Sequence, residues 1–569
     1  MTKFLKTYWL ELLVFAVLAV GYVICMTPGF TWINTDCDGP HYTYAAKWFY
    51  PAHVSSAPLY LIIGHFFTML PGNDAWGLSL LSVIPSIISF IFVYLISAHY
   101  TGKRGASIIA AIVFGGSALA ISQGTIIETY ALVTMFCLTG YYAALKKQWW
   151  VAAGLLGAGM AVHHLAGIAA MVIFFSFKPF RHWKYVLFSS LFVLFYLYVP
   201  ITNRAPYMWQ TETNTIAGII GGLKGTGSML IGQIAIWDWP QRIIEAGLLL
   251  LVSFGFSLPV MIYAFKKLKW VKHSLFWLTL LPVVYYATNL APQTYVYMLP
   301  ALAFGAVAVG IGLTRLSKSW ITALIGITAV GSSIFNFNYF DIGRTLDPDM
   351  AAEQYYKELD KVPDGQILVA QQGWEWTMIF VYNQYEGRDI IPVCAANLPS
   401  SEYRKLLVHT YGIELATDNY IGTILERQRY YTQDIYNKND NVWTTYTTDP
   451  RVYGAAIERA TPDTSYTGST WQSIEIIPSW HFKPSNPYDI ITGAVELDKW
   501  NNVLMSTYSA QTFIMFGFIG AFPGWFLWQL VIKKRKWSLT NVTGKVQGVA
   551  REATGIRVGT ETPANKKAG

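Results

Sequence analysis

Charge is scarce in this chain: 13% of its residues are Asp, Glu, Lys or Arg, against 53% hydrophobic and 16% aromatic. At 569 residues that excludes a soluble globular protein and a disordered one alike. Cysteine is scarce too, with four in all. Cys25 and Cys137 fall in apolar runs and read as small apolar side chains; Cys37 and Cys394 can both face an oxidising compartment, with a disulfide between them the less favoured reading. Nucleotide signatures are missing: there is no Walker-type loop, and the glycines between Gly221 and Gly227 have the wrong spacing for one. The net charge of +8 is dispersed in small clusters between apolar runs, which excludes nucleic acid as a partner. The basic start runs into a long apolar stretch with no cleavage site, so this stretch reads as a retained first span.

What the chain has is hydrophobic length. Apolar runs at 9–29, 77–98, 105–122, 129–145, 184–202, 246–265, 273–290, 294–313, 319–335 and 511–532 suit the crossing of a hydrocarbon layer of ~30 Å. The run at 57–70 is shorter, about 21 Å as a helix, and reads as a helix lying on the surface. The run at 149–177 is broken at His163-His164 and reads as a short hairpin. With this layout 19 Lys and Arg, from Lys3 to Lys536, fall on one side, and the opposite loops before residue 336 hold four: Lys47, Arg204, Lys224 and Arg242. The positive-inside rule then predicts 12 crossings with both termini cytoplasmic. The expected fold is an α-helical polytopic protein of the cell membrane with a C-terminal extracytoplasmic α/β domain. Residues 1–335 form the transmembrane module, with outer loops at 30–76 and 203–245. Residues 336–510 form the outer domain, 511–532 the last span and 533–569 a flexible cytoplasmic tail. Within the outer domain the order strand 365–370, helix 374–385, strand 389–394 is that of an α/β unit.

The candidate chemistry gathers at the outer edge. Asp36 and Asp38 flank Cys37 in the first outer loop, beside a Gly39-Pro40 turn. A partly desolvated carboxylate there suits proton removal from a hydroxyl acceptor, and Asp38 also suits the cap of a helix beginning near Pro40. Asp36-x-Asp38 is in addition a divalent-cation candidate, with oxygen ligands only; no other cofactor is called for. Glu128 opens a span beside Thr129 and Tyr130, either as a second acid in the same cavity or as a first-turn acid favoured by the helix dipole. His163 and His164 are candidates for a phosphate or acceptor contact, their i,i+1 spacing pointing them apart on a helix. His41, His53 and Tyr60 in the first loop are similar candidates, and His65 sits on the surface helix. Arg204 and Arg242, next to span ends, suit the charge-assisted clamping of a lipid phosphate; Lys47 and Lys224 read as solvated.

These residues, in this order, resemble the GT-C glycosyltransferases, and among them the bacterial multi-pass proteins related to protein O-mannosyltransferases. The family's first-loop pattern is an Asp-x-Gly-Glu-Phe-like start, then His-Pro-Pro-Gly, then a Pro-Leu-Tyr helix. Asp38, His53 and Pro58-Leu59-Tyr60 fall on it without a gap. Leu80-Leu81-Ser82, Glu128-x-Tyr130, His163-His164, Tyr198 to Pro200 with Arg204, Tyr295 to Pro300 and Gln366-Ile-Leu follow in order, covering about residues 30–400. Departures stand at His41, where the pattern has Glu, and at His53-Val-Ser-Ser56. The resemblance implies inverting transfer from a polyprenyl-phosphate sugar to a hydroxyl of a protein Ser/Thr, a lipid or an envelope glycan on the outer face, with Asp38 as base or acceptor-orienting group.

Two other classes compete. A transporter or flippase of lipid-linked substrates predicts ionisable groups deep in the spans. A non-catalytic receptor or scaffold displaying 336–510 has no need for Asp36, Asp38, Glu128 and His163 to converge.

Overall fold

The computed structural model describes residues 2–30, 38–52, 57–177, 183–202, 239–269, 273–288, 294–316, 319–345, 356, 358–370, 373–418, 420–447 and 455–459. They all belong to the first of two compact units, Met1–Glu496; the second, Leu497–Gly569, holds the expected last span and tail and lies outside the described residues.

The helices in chain order are α1 (Thr2–Cys25), α2 (Asp38–Trp48), α3 (Pro58–Phe67), α4 (Asp74–Thr101), α5 (Arg104–Gly115), α6 (Ala118–Gly124), α7 (Tyr130–Leu145), α8 (Trp149–Val162), α9 (Leu165–Ser176), α10 (Trp183–Ser190), α11 (Tyr198–Thr202), α12 (Trp239–Phe254), α13 (Leu258–Lys267), α14 (Ser274–Thr288), α15 (Leu299–Leu313) and α16 (Ser319–Thr345). Local chemistry sets their ends. Asn73 caps α4 by accepting from the Trp76 N–H at 2.6 Å, and Gly102, at φ 62°, closes it in the left-handed region that glycine tolerates. Pro58 sits in the first turn of α3. Ser117 opens α6 after a 61° bend from α5. The hub is α15, small-residue-rich and buried along its whole length against α4, α5, α7, α13 and α14. Without side-chain bulk, helix axes approach closely, and packing replaces the hydrophobic effect that lipid cannot supply.

Four described helices are long and apolar enough to cross a membrane, Lys6–Cys25, Asp74–Thr101, Tyr295–Leu313 and Ser319–Phe337, or up to six if each bent pair is one span. The expected run at 105–122 is such a pair, α5 and α6; another joins Arg242–Leu251 to Gly255–Lys267 at 104°. The runs at 57–70, 129–145, 149–177, 184–202 and 273–290 appear as shorter apolar helices, and α8 and α9 part at His163-His164 as the hairpin reading expects. The protein is an α-helical, multi-pass membrane protein.

The α/β domain follows α16, which runs to Thr345, past the expected boundary at 335. It contains β1 (Ile367–Ala370), α17 (Gly373–Glu386), β2 (Ile391–Cys394), α18 (Ser401–Tyr411), α19 (Ile424–Lys438), β3 (Trp443–Thr447) and β4 (Ala455–Arg459). The sheet order is β2-β1-β3-β4, with β1 parallel to both β2 and β3 and β4 antiparallel to β3. A Thr423/Glu426 capping box starts α19. The buried Arg404 guanidinium lies 3.7 Å over the Tyr431 ring and donates to the carbonyls of Leu398, Ala416, Thr417 and Asp418.

Candidate functional site

One end of the helical bundle collects Asp38 and Glu128. Asp38 is the first residue of α2, where the helix dipole favours a carboxylate. The next residues, Gly39 to Ala46, are buried. A methyl group added at Gly39 would stand 3.7 Å from Cβ of Ile127, so the start of α2 abuts the turn that carries Glu128.

That turn is held from three sides. The Thr27 N–H donates to the Thr125 carbonyl at 2.9 Å, tying it to the end of α1. The Ser82 hydroxyl, from α4, donates to the Glu128 carbonyl at 3.1 Å and accepts from the Glu128 N–H at 3.2 Å. Gly124 lets α6 close in: a Cβ there would fall 2.3 Å from Ser86 Oγ and 2.5 Å from the Tyr22 ring. Glu128 itself is buried, and its Oε2 accepts from the Thr129 N–H at 3.2 Å.

Tyrosines and histidines make up the surroundings. Tyr60, fully buried at the start of α3, stacks obliquely on Tyr42 of α2 at 5.1 Å. Burial pushes its hydroxyl well above the usual range, the Glu128 and Asp38 carboxylates add to that, and the nearby Ser82 hydroxyl opposes it. Tyr130 lies within electrostatic reach of the same two carboxylates and of Tyr42 and Tyr297. From Tyr130 a ring cluster continues: His163 at 5.4 Å, Tyr297 at 5.7 Å, and Tyr285 against Tyr297 at 5.1 Å. His164 Nε2 and the Tyr285 hydroxyl are hydrogen-bonded at 2.9 Å.

The structure therefore brings together Asp38, Glu128, Tyr60, Tyr130, His163 and His164. The expectation for the histidine pair is corrected. The two histidine rings do not point apart but lie 4.0 Å from each other, because His163 leaves the helix for an extended conformation at φ −157° and the i,i+1 rule for helices no longer applies. His41 is buried on α2. His65 is bonded through Nδ1 to the Ala46 carbonyl at 3.0 Å and so holds α3 to α2. Arg242 is buried and committed elsewhere: its guanidinium pairs with Glu245 at 3.2 Å and lies 5.7 Å over the Tyr286 ring, whose hydroxyl also donates to Glu245 at 3.3 Å. Lys47 is not simply solvated; it pairs with Asp74. Asp36, Cys37, His53, Arg204 and Lys224 lie outside the described residues. Among the described residues no group of three or more His, Cys, Asp or Glu gathers to hold a metal ion.

No family model matches the chain, and no curated protein matches it. Solved structures do. It is similar to ArnT from Cupriavidus metallidurans bound to undecaprenyl phosphate, at 10% identity and TM-score 0.48, over 68% of this chain and 90% of that one. It is similar to the Archaeoglobus fulgidus oligosaccharyltransferase tethered with an acceptor peptide, at 10% identity and TM-score 0.43, over 81% of this chain and 75% of that one. It is also similar to the arabinofuranosyltransferase AftD from mycobacteria, at 14% identity and TM-score 0.42, over 79% of this chain and 36% of that one.

Sequence reasoning missed Ser82 as the clamp of the Glu128 turn, Tyr42, Tyr285 and Tyr297 as walls, and Glu245 as the partner of Arg242. Ser82 and Tyr297 both lie in segments that carry the family resemblance, so their position was signalled though their roles were not. Glu245 follows Arg242 at i+3, the spacing at which helical side chains meet.

Proposed function

We propose that this protein is a membrane glycosyltransferase that moves a sugar from a polyprenyl-phosphate-linked donor to a hydroxyl acceptor. The observation that carries this reading is that the start of α2, with Asp38 as its first residue, abuts at Gly39 the turn that carries the buried Glu128. A scaffold has no use for two carboxylates held at one site, and the family resemblance in the first loop falls on Asp38.

In the proposed reaction the acceptor oxygen attacks the anomeric carbon as the bond to the phosphate oxygen breaks. The electron pair of that bond leaves with the polyprenyl phosphate, and the acceptor proton passes to Asp38. A single in-line displacement inverts the anomeric centre. Glu128, buried and fixed by the Thr129 N–H, orients the acceptor or the sugar hydroxyls. His163 and His164 stand beside Tyr130 and Tyr285, where imidazole N–H groups can meet phosphate or acceptor oxygens. The positive-inside count supports reading this end of the bundle as the outer face, with a protein Ser/Thr, a lipid or an envelope glycan as the proposed acceptor.

The test uses the full-length protein in vesicles, offered mannosyl- and glucosyl-phosphoundecaprenol in turn with an envelope extract as acceptor source. Asp38→Asn abolishes label transfer while leaving expression and the melting temperature intact. Full transfer by that variant would sink the assignment, and persistence of wild-type transfer in a chelator would reject a cation on Asp36 and Asp38.

A further inference from the structure

The helix that begins at Asp38 belongs to two cores at once. Tyr42, Ala45 and Ala46 pack into the membrane core, and Tyr44 packs into the core of the α/β domain. A helix of 11 residues is marginal alone, so α2 persists because two bodies grip it.

The α/β domain grips through α17. The edge of Phe380 meets Tyr44 at 4.8 Å and 86°, and Tyr385 meets Trp48 at 5.0 Å and 76°. Lys47 lies over the Trp48 and Tyr385 rings at 5.0 and 4.7 Å while its ammonium pairs with Asp74. The Tyr385 hydroxyl donates to the same Asp74 carboxylate at 2.7 Å. Asp74 is the first residue of α4, so this contact joins α17, α2 and a membrane-crossing helix. Behind it, Trp376 stacks on Phe380 at 5.4 Å and 12°, and its indole N–H donates to the Pro392 carbonyl in β2 at 3.2 Å. Side chains in contact thus run from the sheet to α2.

We propose that α17 is a positioning element of the transfer reaction, in which Phe380 and Tyr385, through Tyr44 and the Lys47–Asp74 pair, set the place of the Asp38 carboxylate. Tyr44 lies about 9 Å along the helix from Asp38 at 1.5 Å rise per residue, and a helix moves as one body over that length. A misplacement of about 1 Å at a reacting group costs on the order of 100-fold in rate. The domain therefore tunes the chemistry as well as being displayed by it. This inference rests on the assignment of Asp38 above.

The experiment compares wild type, Phe380→Ala, Phe380→Leu and Tyr385→Phe in vesicles, reading amide hydrogen exchange of residues 38–48 and the kinetics of transfer from whichever of the two phosphoundecaprenol donors the wild type uses. Phe380→Ala speeds exchange in α2 by about tenfold or more while α7 keeps its protection. Its kcat falls by about tenfold or more with the donor KM within about twofold, because the loss lies in geometry at the reacting group. Phe380→Leu restores most of kcat. Tyr385→Phe, which keeps the ring and loses one hydrogen bond, falls by only about threefold. Unchanged kcat and unchanged α2 exchange in Phe380→Ala would overturn the proposal, as would a loss confined to KM. If Phe380→Ala does not fold, unchanged exchange and kcat in Tyr385→Phe overturn it instead. Transfer retained by Asp38→Asn removes the catalytic assignment and leaves the exchange result standing, so the two failures are distinct.

Discussion

The two ends of the helical bundle both bury carboxylates, and they treat them differently. At one end Glu11 of α1 is 3% exposed and closed by Arg104, which contacts both its oxygens, and by the Tyr94 hydroxyl at 2.9 Å. At the other end Glu128 is 2% exposed; the Ser82 hydroxyl holds its backbone, and its Oε2 accepts from the Thr129 N–H. A carboxylate neutralised by a guanidinium is finished as a chemical group: its energy lies in the pair, and breaking the pair destabilises the fold. Glu128 belongs to the site proposed above, where a carboxylate can accept a proton or orient a substrate. Two acids of nearly equal burial thus differ in place: one is bound to Arg104, the other lies in the proposed site.

The widest separation comes from the matched pair of amides. Glu128→Gln lowers kcat by about 100-fold or more and leaves the melting temperature near wild type. Glu11→Gln lowers the melting temperature and leaves transfer per folded molecule unchanged. Equal effects of the two on both readouts would erase the distinction between the ends.

A smaller effect tests how the reactive end is held. Ser82→Ala removes two hydrogen bonds to the backbone of Glu128, each worth about 1 kcal/mol, and lowers kcat several-fold with little change in donor KM. A change in KM alone would place Ser82 on the donor side instead.

The smallest effect extends the comparison to the α/β domain, where a paired acid sits in water. Arg388, bonded to Asp364 at 2.6 Å, holds its carboxyl below the usual carboxylate range, and the Asp389 N–H adds to this. The folded pKa is the depressed one, so the pair's contribution is present above the ordinary Asp value of about 3.9 and fades as pH falls below it. In Arg388→Gln, acid-induced loss of exchange protection near residues 362–390 begins at a higher pH than in wild type. An unchanged acid profile would show the pair to contribute nothing.

Much of this was legible from one-dimensional pattern. The α/β domain's strands and helices fall near their expected places, because alternation and length report burial directly. The break at His163-His164 was readable because two histidines interrupt an apolar run. What escaped was partnership across distance. Lys47 and Asp74 are 27 residues apart, Tyr385 is 311 from Asp74, and nothing in the local sequence says that they meet. Arg242 beside a span end suits a clamp for an external anion, but Glu245, one helical turn on, pairs with it. The orientation of the two histidines lies beyond a helical spacing rule because His163 is extended.

The hairpin of α8 and α9 has a bearing on the bilayer itself. These helices have 14 and 12 residues, about 21 and 18 Å of length, against a hydrocarbon layer of ~30 Å. Such hydrophobic mismatch is relieved by thinning of the leaflet or by cover from neighbouring helices. Here the cover is on hand: His163, at the break between the two helices, is buried among protein side chains, so the shortfall in length is met by neighbouring helices at that point.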